Sequence, residues 1–400
     1  MKPATRARLA SLVFAALALF LCVTPTSRSA NEALPQRLDD RTFWSIVSEF
    51  SEANGFFRSD NLVSNETAFQ HVIPALKTQV MPASAYIGVG PDQNFTYIAA
   101  LKPRISFIID IRRQNMLLHL IYKALIEQSP TRAEFLSRLF SRPLPAGLAA
   151  ANTPDSMLAA FHDEDPDPVA YERNRQDIRR VLMHDHGFSL TYSDLGLIDY
   201  VYKAFYSAGP EIRYSFGRGN GWQPFPTYRD LMVEHDLDGV QRSYLASEAL
   251  YGTLRDLEQR NLIVPVVGDF GGPKALRSVA RYLDIHHATV SVFYTSNVEQ
   301  YLFHSDAWQH FYENVAAMPI DSRSTFIRAY FNNAGGGPFR FRADPSLPPP
   351  GANGVIPIPP GYVPPPGPRS VTLLNPISVL LAAYSEGHIS NYFDVVDLSR

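Results

Sequence analysis

Ala85-Tyr-Ile-Gly-Val-Gly-Pro91 is the stretch that decides the fold of this chain. A short apolar run ends in a glycine-x-glycine turn, and Phe95–Leu101 then has the composition of a short helix. The next segment, Ile105–Ile111, is an almost unbroken apolar run with Asp110 near its end. Such a run is typical of a strand that is buried on both faces of a parallel sheet. The order strand, glycine turn, helix, strand and acid predicts an open α/β sheet.

The same rhythm continues further along the chain. Arg113–Gln128 carries apolar residues at helical spacing. Ile263–Asp269 predicts a strand and a turn, Ala288–Asn297 predicts a strand rich in β-branched and aromatic residues, and Ser324–Phe331 predicts one more strand. We therefore predict an α/β fold with a doubly wound, mostly parallel, Rossmann-like sheet, a helical insertion and a proline-rich C-terminal region.

The predicted organisation of the chain has six parts. They are a signal peptide (1–29), an N-terminal helical segment (30–84), the first half of the sheet domain (85–128), a mostly helical insertion or lid (129–262), the second half of the sheet domain (263–331) and a proline- and glycine-rich C-terminal region (332–400). Within the insertion, helical patterns occupy 132–140, 167–184, 193–206 and 243–260, and the aromatic loop 214–225 could line a ligand pocket, dock a partner or pack on the sheet. Near the C-terminus, Thr372–Tyr384 could form a last strand or a short helix.

The N-terminus has the pattern of an export signal. Lys2, Arg6 and Arg8 precede an apolar run, Leu9–Val23, that is short for a membrane-spanning helix. We expect a cleaved signal, a periplasmic or secreted protein and no membrane span after cleavage; anchoring by an uncleaved signal is the alternative. Cys22 is the only cysteine, so the cleaved protein would have no disulfide, no thiol nucleophile and no cysteine metal site.

Several functional classes are disfavoured by composition and spacing. The net charge of -3 provides no basic surface for nucleic acid. His184-Asp-His186 is expected at a helix end, and His286-His287 precedes a strand without an obvious third ligand, so no metal site is predicted. Ser215 and Ser296 lack the Gly-x-Ser-x-Gly context of a serine hydrolase.

The first candidate site consists of Gly88, Gly90 and Asp110. Because glycine has no Cβ, the backbone of such a turn can approach a ligand closely, and an acid about twenty residues further on can bind ribose hydroxyls. The dinucleotide fingerprint requires a third glycine at the position of Gln93, where it is missing. The alternative is a turn needed only for strand–helix packing, with Asp110 as a helix cap. Arg112-Arg113 is expected to form a solvated face, with anion binding at the following helix as its alternative.

This combination of a glycine turn and an acid, without the third glycine, resembles the class I S-adenosylmethionine-dependent methyltransferases. The resemblance covers roughly residues 85–128 and 262–331. It implies that Gly88 and Gly90 lie under the amino-acid part of S-adenosylmethionine and that Asp110 binds its ribose hydroxyls.

Two later segments extend the resemblance. Asp269 and Phe270 match the end of that family's third strand, which implies contacts of the acid with the adenine amino group and of the ring with the adenine face; a strand-ending turn is the alternative. Tyr294, Asn297 and Glu299 lie at the end of the next strand, where the family has polar groups near the methyl acceptor. They are the catalytic candidates, and the N-cap and first turn of a helix are the alternative.

The resemblance implies an exported protein that binds S-adenosylmethionine or a related nucleoside and transfers a methyl group to an acceptor. Ala85-Tyr-Ile87 stands where that family usually has an acid in its first strand, and S-adenosylmethionine is made in the cytoplasm. These departures keep a second hypothesis open, namely a non-catalytic exported binding or scaffold protein on the same fold. As a whole, the chain resembles exported bacterial proteins with this kind of core.

Overall fold

A computed structural model describes residues 33–80, 84–214, 225–331 and 370–399 of the chain. The predicted signal peptide with Cys22 lies outside these residues, as do 215–224 of the aromatic loop and 332–369 of the proline-rich region. Predictions that concern those stretches remain predictions.

The centre of the molecule is one six-stranded sheet with the order β3-β2-β1-β4-β5-β6. Its strands are β1 (Ala85–Gly88), β2 (Ile105–Asp110), β3 (Ile263–Val267), β4 (Val290–Ser296), β5 (Thr325–Phe331) and β6 (Ser370–Pro376). Strands β1 to β5 pair in parallel, and β6 pairs antiparallel to β5. The prediction of an α/β fold with a mostly parallel sheet is confirmed, and the sheet is compatible with a Rossmann-like fold.

Fifteen helices belong to the described residues. They are α1 (Asp40–Phe50), α2 (Ile73–Gln79), α3 (Gln93–Leu101), α4 (Arg113–Glu127), α5 (Arg132–Phe140), α6 (Pro154–Asp163), α7 (Pro168–Arg180), α8 (Tyr192–Ala208), α9 (Tyr228–Val233), α10 (Glu248–Gln259), α11 (Ala275–Ile285), α12 (Val298–His304), α13 (Trp308–Ala316), α14 (Ile377–Ser385) and α15 (Tyr392–Asp397).

The direction in which strands are added reverses between β1 and β4. The chain first moves outward from β1 to β3 and then crosses back to β4. Because parallel crossovers are right-handed, the helices of the two halves pack on opposite faces of the sheet. Helices α3 and α4 contact α10, and α4 also contacts β2 and β3, whereas α11 contacts α1 and α13. Such a reversal opens a crevice at the carboxyl ends of the strands, which is where ligands bind in folds of this kind.

Between β2 and β3, α4 is followed by helices α5 to α10, of which α5, α7, α8 and α10 match the helical patterns predicted within 129–262. Three of them begin with reciprocal capping boxes, formed by Thr131 with Glu134, Thr191 with Asp194, and Thr227 with Asp230. Helices α4, α5 and α8 contact one another, and their apolar side chains join the same hydrophobic core as those of the sheet. The sequence patterns did not predict α6 or α9.

The last described residues complete the sheet. Strand β6 pairs with the full length of β5, from Thr325 opposite Pro376 to Phe331 opposite Ser370. The two alternatives for 372–384 are both present, because β6 is followed directly by α14. The predicted proline- and glycine-rich C-terminal region therefore includes a folded part, 370–399, which packs on the sheet.

Candidate functional site

A cavity of about 410 Å³ lies at the carboxyl edge of the sheet, beside the reversal between β1 and β4. The loops that follow β1, β2, β3 and β4 all contribute to its wall, and a segment before β1 closes one side. The residues that argue for a site are Asn61, Glu66, Gly90, Asp110, Arg112, Asp269, Phe270, Tyr294, Ser296 and Asn297. The lining thus brings together six of the eight residues that the sequence analysis selected; Gly88 and Glu299 are outside it.

The two glycines of the first turn have different surroundings. Gly90 lines the cavity and has a φ of 78°, a conformation that side-chain-bearing residues rarely adopt. Gly88 instead packs under Asn94, and a Cβ on Gly88 would lie only 1.9 Å from Asn94 Oδ1. The Asn94 amide donates to the carbonyl oxygens of Val89 and Pro91 at 2.9 and 2.7 Å. Gly88 therefore fits the packing alternative, whereas Gly90 presents backbone to the cavity.

The buried side chain of His119 contacts the backbone of the glycine turn. His119 Nε2 lies 2.8 Å from the carbonyl oxygen of Gly90, and burial lowers the pKa of this imidazole to about 4. A neutral ring whose Nε2 faces a carbonyl must carry its proton on Nε2, so His119 donates this hydrogen bond. The turn is thereby fixed without any ligand, which suits a preformed site.

Asp110 is the last residue of β2, and its carboxylate forms an ion pair with an arginine. Arg112 forms a two-pronged ion pair with it, because Nε and Nη2 each lie 3.0 Å from a carboxylate oxygen. Arg112 Nη1 also donates to the carbonyl oxygens of Ser59 and Asp60. The expectation of a solvated face is wrong for Arg112, which is buried because it ties the segment before β1 to the end of β2. Asp110 Oδ1 also accepts the backbone N–H of Arg112, just before α4.

The loop after β3 places one acid and one aromatic ring at the cavity. Asp269 is half-buried, and its Oδ1 accepts the backbone N–H of Gly271 at 2.9 Å, the geometry of an aspartate turn. Phe270 is buried and stacks on Phe311, with ring centroids 5.4 Å apart. Both the predicted contact residues and the predicted strand-ending turn are therefore present at the same place.

A carboxylate of the protein itself occupies the N-terminus of α11. Glu52 accepts the backbone N–H groups of Asp269, Lys274 and Ala275 at 3.1, 2.9 and 2.8 Å. A Cβ on Gly272 would lie 2.5 Å from this carboxylate. Glu52 therefore takes the position at this helix N-terminus that an external anion would occupy, so this part of the rim does not offer a phosphate site.

The loop after β4 separates the three catalytic candidates. Tyr294 and Asn297 line the cavity, and Asn297 precedes α12. Glu299 lies in the first turn of α12 and points away from the cavity, where it forms a buried ion pair with Arg328 of β5 and accepts Tyr312 Oη at 3.0 Å. Because the ion pair and the tyrosine hydroxyl satisfy it there, Glu299 holds the end of the sheet together and is not available to a ligand.

Sequence reasoning missed Glu66, which lies in the segment before β1. Its carboxylate lines the cavity, is buried, and accepts Gln93 Nε2 and Tyr294 Oη, both at 2.8 Å, and the hydroxyl of Ser296. Burial raises the pKa of Glu66, and the three donated hydrogen bonds oppose that shift. No local pattern marks this acid; only the folded chain brings it beside residues more than two hundred positions away.

Aromatic side chains form the mouth of the cavity. Phe57 meets the edge of Tyr301, with ring centroids 5.2 Å apart, and Arg112 lies over the Phe57 ring. Phe56 is 85% exposed at the same lip. Tyr214, the first residue of the predicted aromatic loop, also lines the cavity, and burial raises its pKa to about 12. An apolar, aromatic wall with few polar groups is typical of small-molecule sites.

The described residues contain no group of three or more His, Cys, Asp or Glu side chains arranged to hold a metal ion. His184 is exposed, and His186 is bound between Asp40 and Glu127 at 2.7 Å from each. In the same part of the chain, no helix has the length and apolarity needed to cross a membrane.

The fold and the cavity define an α/β protein with a mostly parallel sheet and a candidate ligand site at its carboxyl edge. A family described as "Domain of unknown function (DUF7790)" matches residues 61–340, and the chain belongs to this family. The matched range includes the four loops of the cavity and Glu66. A search of curated proteins found no match.

Proposed function

We propose that this protein binds a nucleoside-type small molecule, with S-adenosylmethionine as the leading candidate, in the cavity at the carboxyl edge of its sheet. The observation that supports this proposal is the convergence of Gly90, Asp110, Asp269 and Phe270 on one cavity of about 410 Å³. These residues come from three successive strand ends, in the order in which the methyltransferase resemblance uses them. A carboxylate for a ribose, an acceptor for an amino group and an apolar wall for a base are the groups that such a ligand requires.

Methyl transfer is the activity that this ligand would permit. The sulfonium of S-adenosylmethionine supplies an activated methyl group, so the chain has to bind the cofactor, orient the acceptor and exclude water. Tyr294 and Asn297 are the polar side chains next to the position of an acceptor. Burial raises the pKa of Tyr294 well above its usual range, and its hydroxyl donates to Glu66. Tyr294 would therefore act by orienting a group and not by removing a proton.

A second candidate function is non-catalytic ligand binding by an exported protein. Two observations favour it: Asp110 is already paired with Arg112, and Glu299 is already paired with Arg328. Two of the acids that the methyltransferase resemblance selects are thus engaged in holding the fold. A protein of this kind would bind the nucleoside without turning it over.

Isothermal titration calorimetry of the purified protein with S-adenosylmethionine and with S-adenosylhomocysteine tests the proposal. We expect saturable binding, weakened at least tenfold in Asp110→Asn, because charge-assisted hydrogen bonds to the ribose would be lost (about 1.5–3 kcal/mol). Asp256→Asn, which removes an exposed acid paired with Arg260, is the control and should bind like the unmodified protein.

The absence of binding in the unmodified protein, or equal binding in Asp110→Asn, would overturn the nucleoside proposal. Transfer of a labelled methyl group from bound S-adenosylmethionine to protein or small-molecule acceptors then separates the two candidate functions. Binding without transfer would favour the non-catalytic protein.

A further inference from the structure

Glu66 is a buried carboxylate in the wall of the cavity. The residue is 1% exposed, although it borders the cavity. Its three hydrogen-bond donors, Gln93, Tyr294 and Ser296, are all neutral. An ionised carboxylate has about four acceptor positions, so these three donors leave one position for a further group.

The charge of Glu66 has no counter-ion among the residues that the structure describes. The other acids of the wall are in different situations: Asp110 is paired with Arg112, and Asp269 is only half-buried, so water reaches its carboxylate. No described lysine, arginine or histidine forms an ion pair with Glu66, and burial is the largest cause of its raised pKa. Removing an unpaired carboxylate from water costs several kcal/mol, and a nearby positive charge offsets that cost.

The surroundings of Glu66 suit an organic cation better than a hydrated metal ion. Tyr294, Phe57 and Tyr301 line the same cavity with aromatic rings, and aromatic faces attract ammonium and sulfonium groups. Glu66 itself lacks the further carboxylates or carbonyl oxygens that a hard metal ion would require, since its neighbours donate hydrogen bonds.

We propose that the carboxylate of Glu66 binds a positively charged group, an ammonium or a sulfonium, of the small molecule that occupies this cavity. The inference rests on the proposed function in that the same cavity holds the ligand, and it specifies the charge of that ligand. A positive group beside Glu66 takes the remaining acceptor position of the carboxylate, while the aromatic rings of the mouth cover the apolar part of the molecule.

A matched pair of probes tests the inference without depending on a nucleoside. 2-Phenylethylamine and 2-phenylethanol differ only in an ammonium and a hydroxyl group, and both are small enough for the cavity. We expect the unmodified protein to bind the amine at least tenfold more tightly than the alcohol in calorimetry, because of the charge-assisted contact. In Glu66→Gln, which has nearly the same shape, this preference should fall to about one.

Glu258→Gln is the control for the loss of a buried acid. Glu258 is 1% exposed and does not line the cavity, so the preference for the amine should remain in that variant. If Glu66→Gln fails to fold, a crystal structure of the unmodified protein with 2-phenylethylamine decides the matter. The amine nitrogen is expected within hydrogen-bond distance of Glu66, and binding at any other position overturns the inference.

The two proposals fail in different ways. Equal amine preference in the unmodified protein and in Glu66→Gln, or no amine binding at all, overturns the role of Glu66. Absence of nucleoside binding together with a Glu66-dependent amine preference overturns only the nucleoside proposal. If nucleosides bind, the comparison of S-adenosylmethionine with S-adenosylhomocysteine in Glu66→Gln separates a sulfonium contact from an ammonium contact, since only the first ligand has a sulfonium and both have the ammonium.

Discussion

The close packing around Gly88 in the first glycine turn predicts that the substitution Gly88→Ala destabilises the protein. The new Cβ would lie 1.9 Å from Asn94 Oδ1 and 2.8 Å from Cε1 of Tyr86. Strand β1 is paired on both sides, with β2 and with β4, so we expect the Asn94 side chain to move and the strand to stay in place. Gly88→Ala therefore removes a hydrogen-bonded network although Gly88 itself makes no side-chain contact.

The magnitude follows from the bonds of Asn94. Its amide donates to the carbonyl oxygens of Val89, Gly90 and Pro91 at 2.9, 3.3 and 2.7 Å, and its oxygen accepts Tyr86 Oη at 2.9 Å. The amide has only two N–H groups, so its three carbonyl contacts count as two hydrogen bonds. With the bond from Tyr86, and at about 1 kcal/mol for each buried hydrogen bond, the loss is roughly 3 kcal/mol in the free energy of unfolding.

Gly90→Ala is the matched comparison. A Cβ there meets nothing closer than Asn61 Nδ2 at 3.5 Å, so only the left-handed backbone is penalised, by roughly 1–2 kcal/mol. The double variant Gly88→Ala/Asn94→Ala should lose little more than Asn94→Ala alone, because both changes remove the same network.

Equilibrium urea unfolding followed by circular dichroism measures these free energies. We expect Gly88→Ala to be about 1–2 kcal/mol less stable than Gly90→Ala, and the double variant to fall about 3 kcal/mol short of additivity. Additive single effects, or a Gly88→Ala variant as stable as Gly90→Ala, would refute the packing role of Gly88.

Two further predictions concern buried charge. Burial raises the pKa of Asp92 to about 7, and Tyr244 donates a hydrogen bond to its carboxyl group at 3.0 Å. The folded protein therefore keeps a proton on Asp92 at pH values where the unfolded chain, with a pKa near 4, has released it. The stability that this proton contributes is lost as the pH rises from about 4 to 7. Relative to the unmodified protein, Asp92→Asn should be equally stable at pH 4 and more stable at pH 8, by up to about 4 kcal/mol in urea unfolding; a pH-independent difference would contradict this. Arg328→Met leaves Glu299 buried without its partner and should lower the free energy of unfolding by about 3–5 kcal/mol. Adding Glu299→Gln should restore part of that loss, which thermal unfolding measures. A double variant that is less stable than Arg328→Met would contradict this prediction.

The sequence predicts the sheet well because its strands are local patterns. A short apolar run such as Ile105–Ile111 fits few structures other than a buried strand. The carboxyl ends of parallel strands lie together at one edge of the sheet. That geometry is the reason why Asp110, Asp269, Tyr294 and Asn297 were selected and why the structure brings them to the same cavity.

The missed features depend on contacts between distant parts of the chain. Glu66 belongs to a segment with little regular structure, and its role appears only when Ser296 and Tyr294 reach it. Glu299 was selected because it follows β4, but a side chain in the first turn of a helix can face either way, and Arg328 on β5 decides the direction. Sequence spacing contains no information on either choice.

The antiparallel pairing of β5 with β6 brings together the two residues that flank the proline-rich stretch 332–369. Phe331 and Ser370 are paired neighbours, so β5 ends and β6 begins at the same point of the sheet. That point is next to the ligand cavity, because Ser370 Oγ accepts the backbone N–H of Thr67, the residue after Glu66, at 2.7 Å. Both residues that flank the stretch are therefore held in the sheet beside the cavity. A protease cut between Phe331 and Ser370 would therefore leave two fragments that the whole β5–β6 ladder still joins.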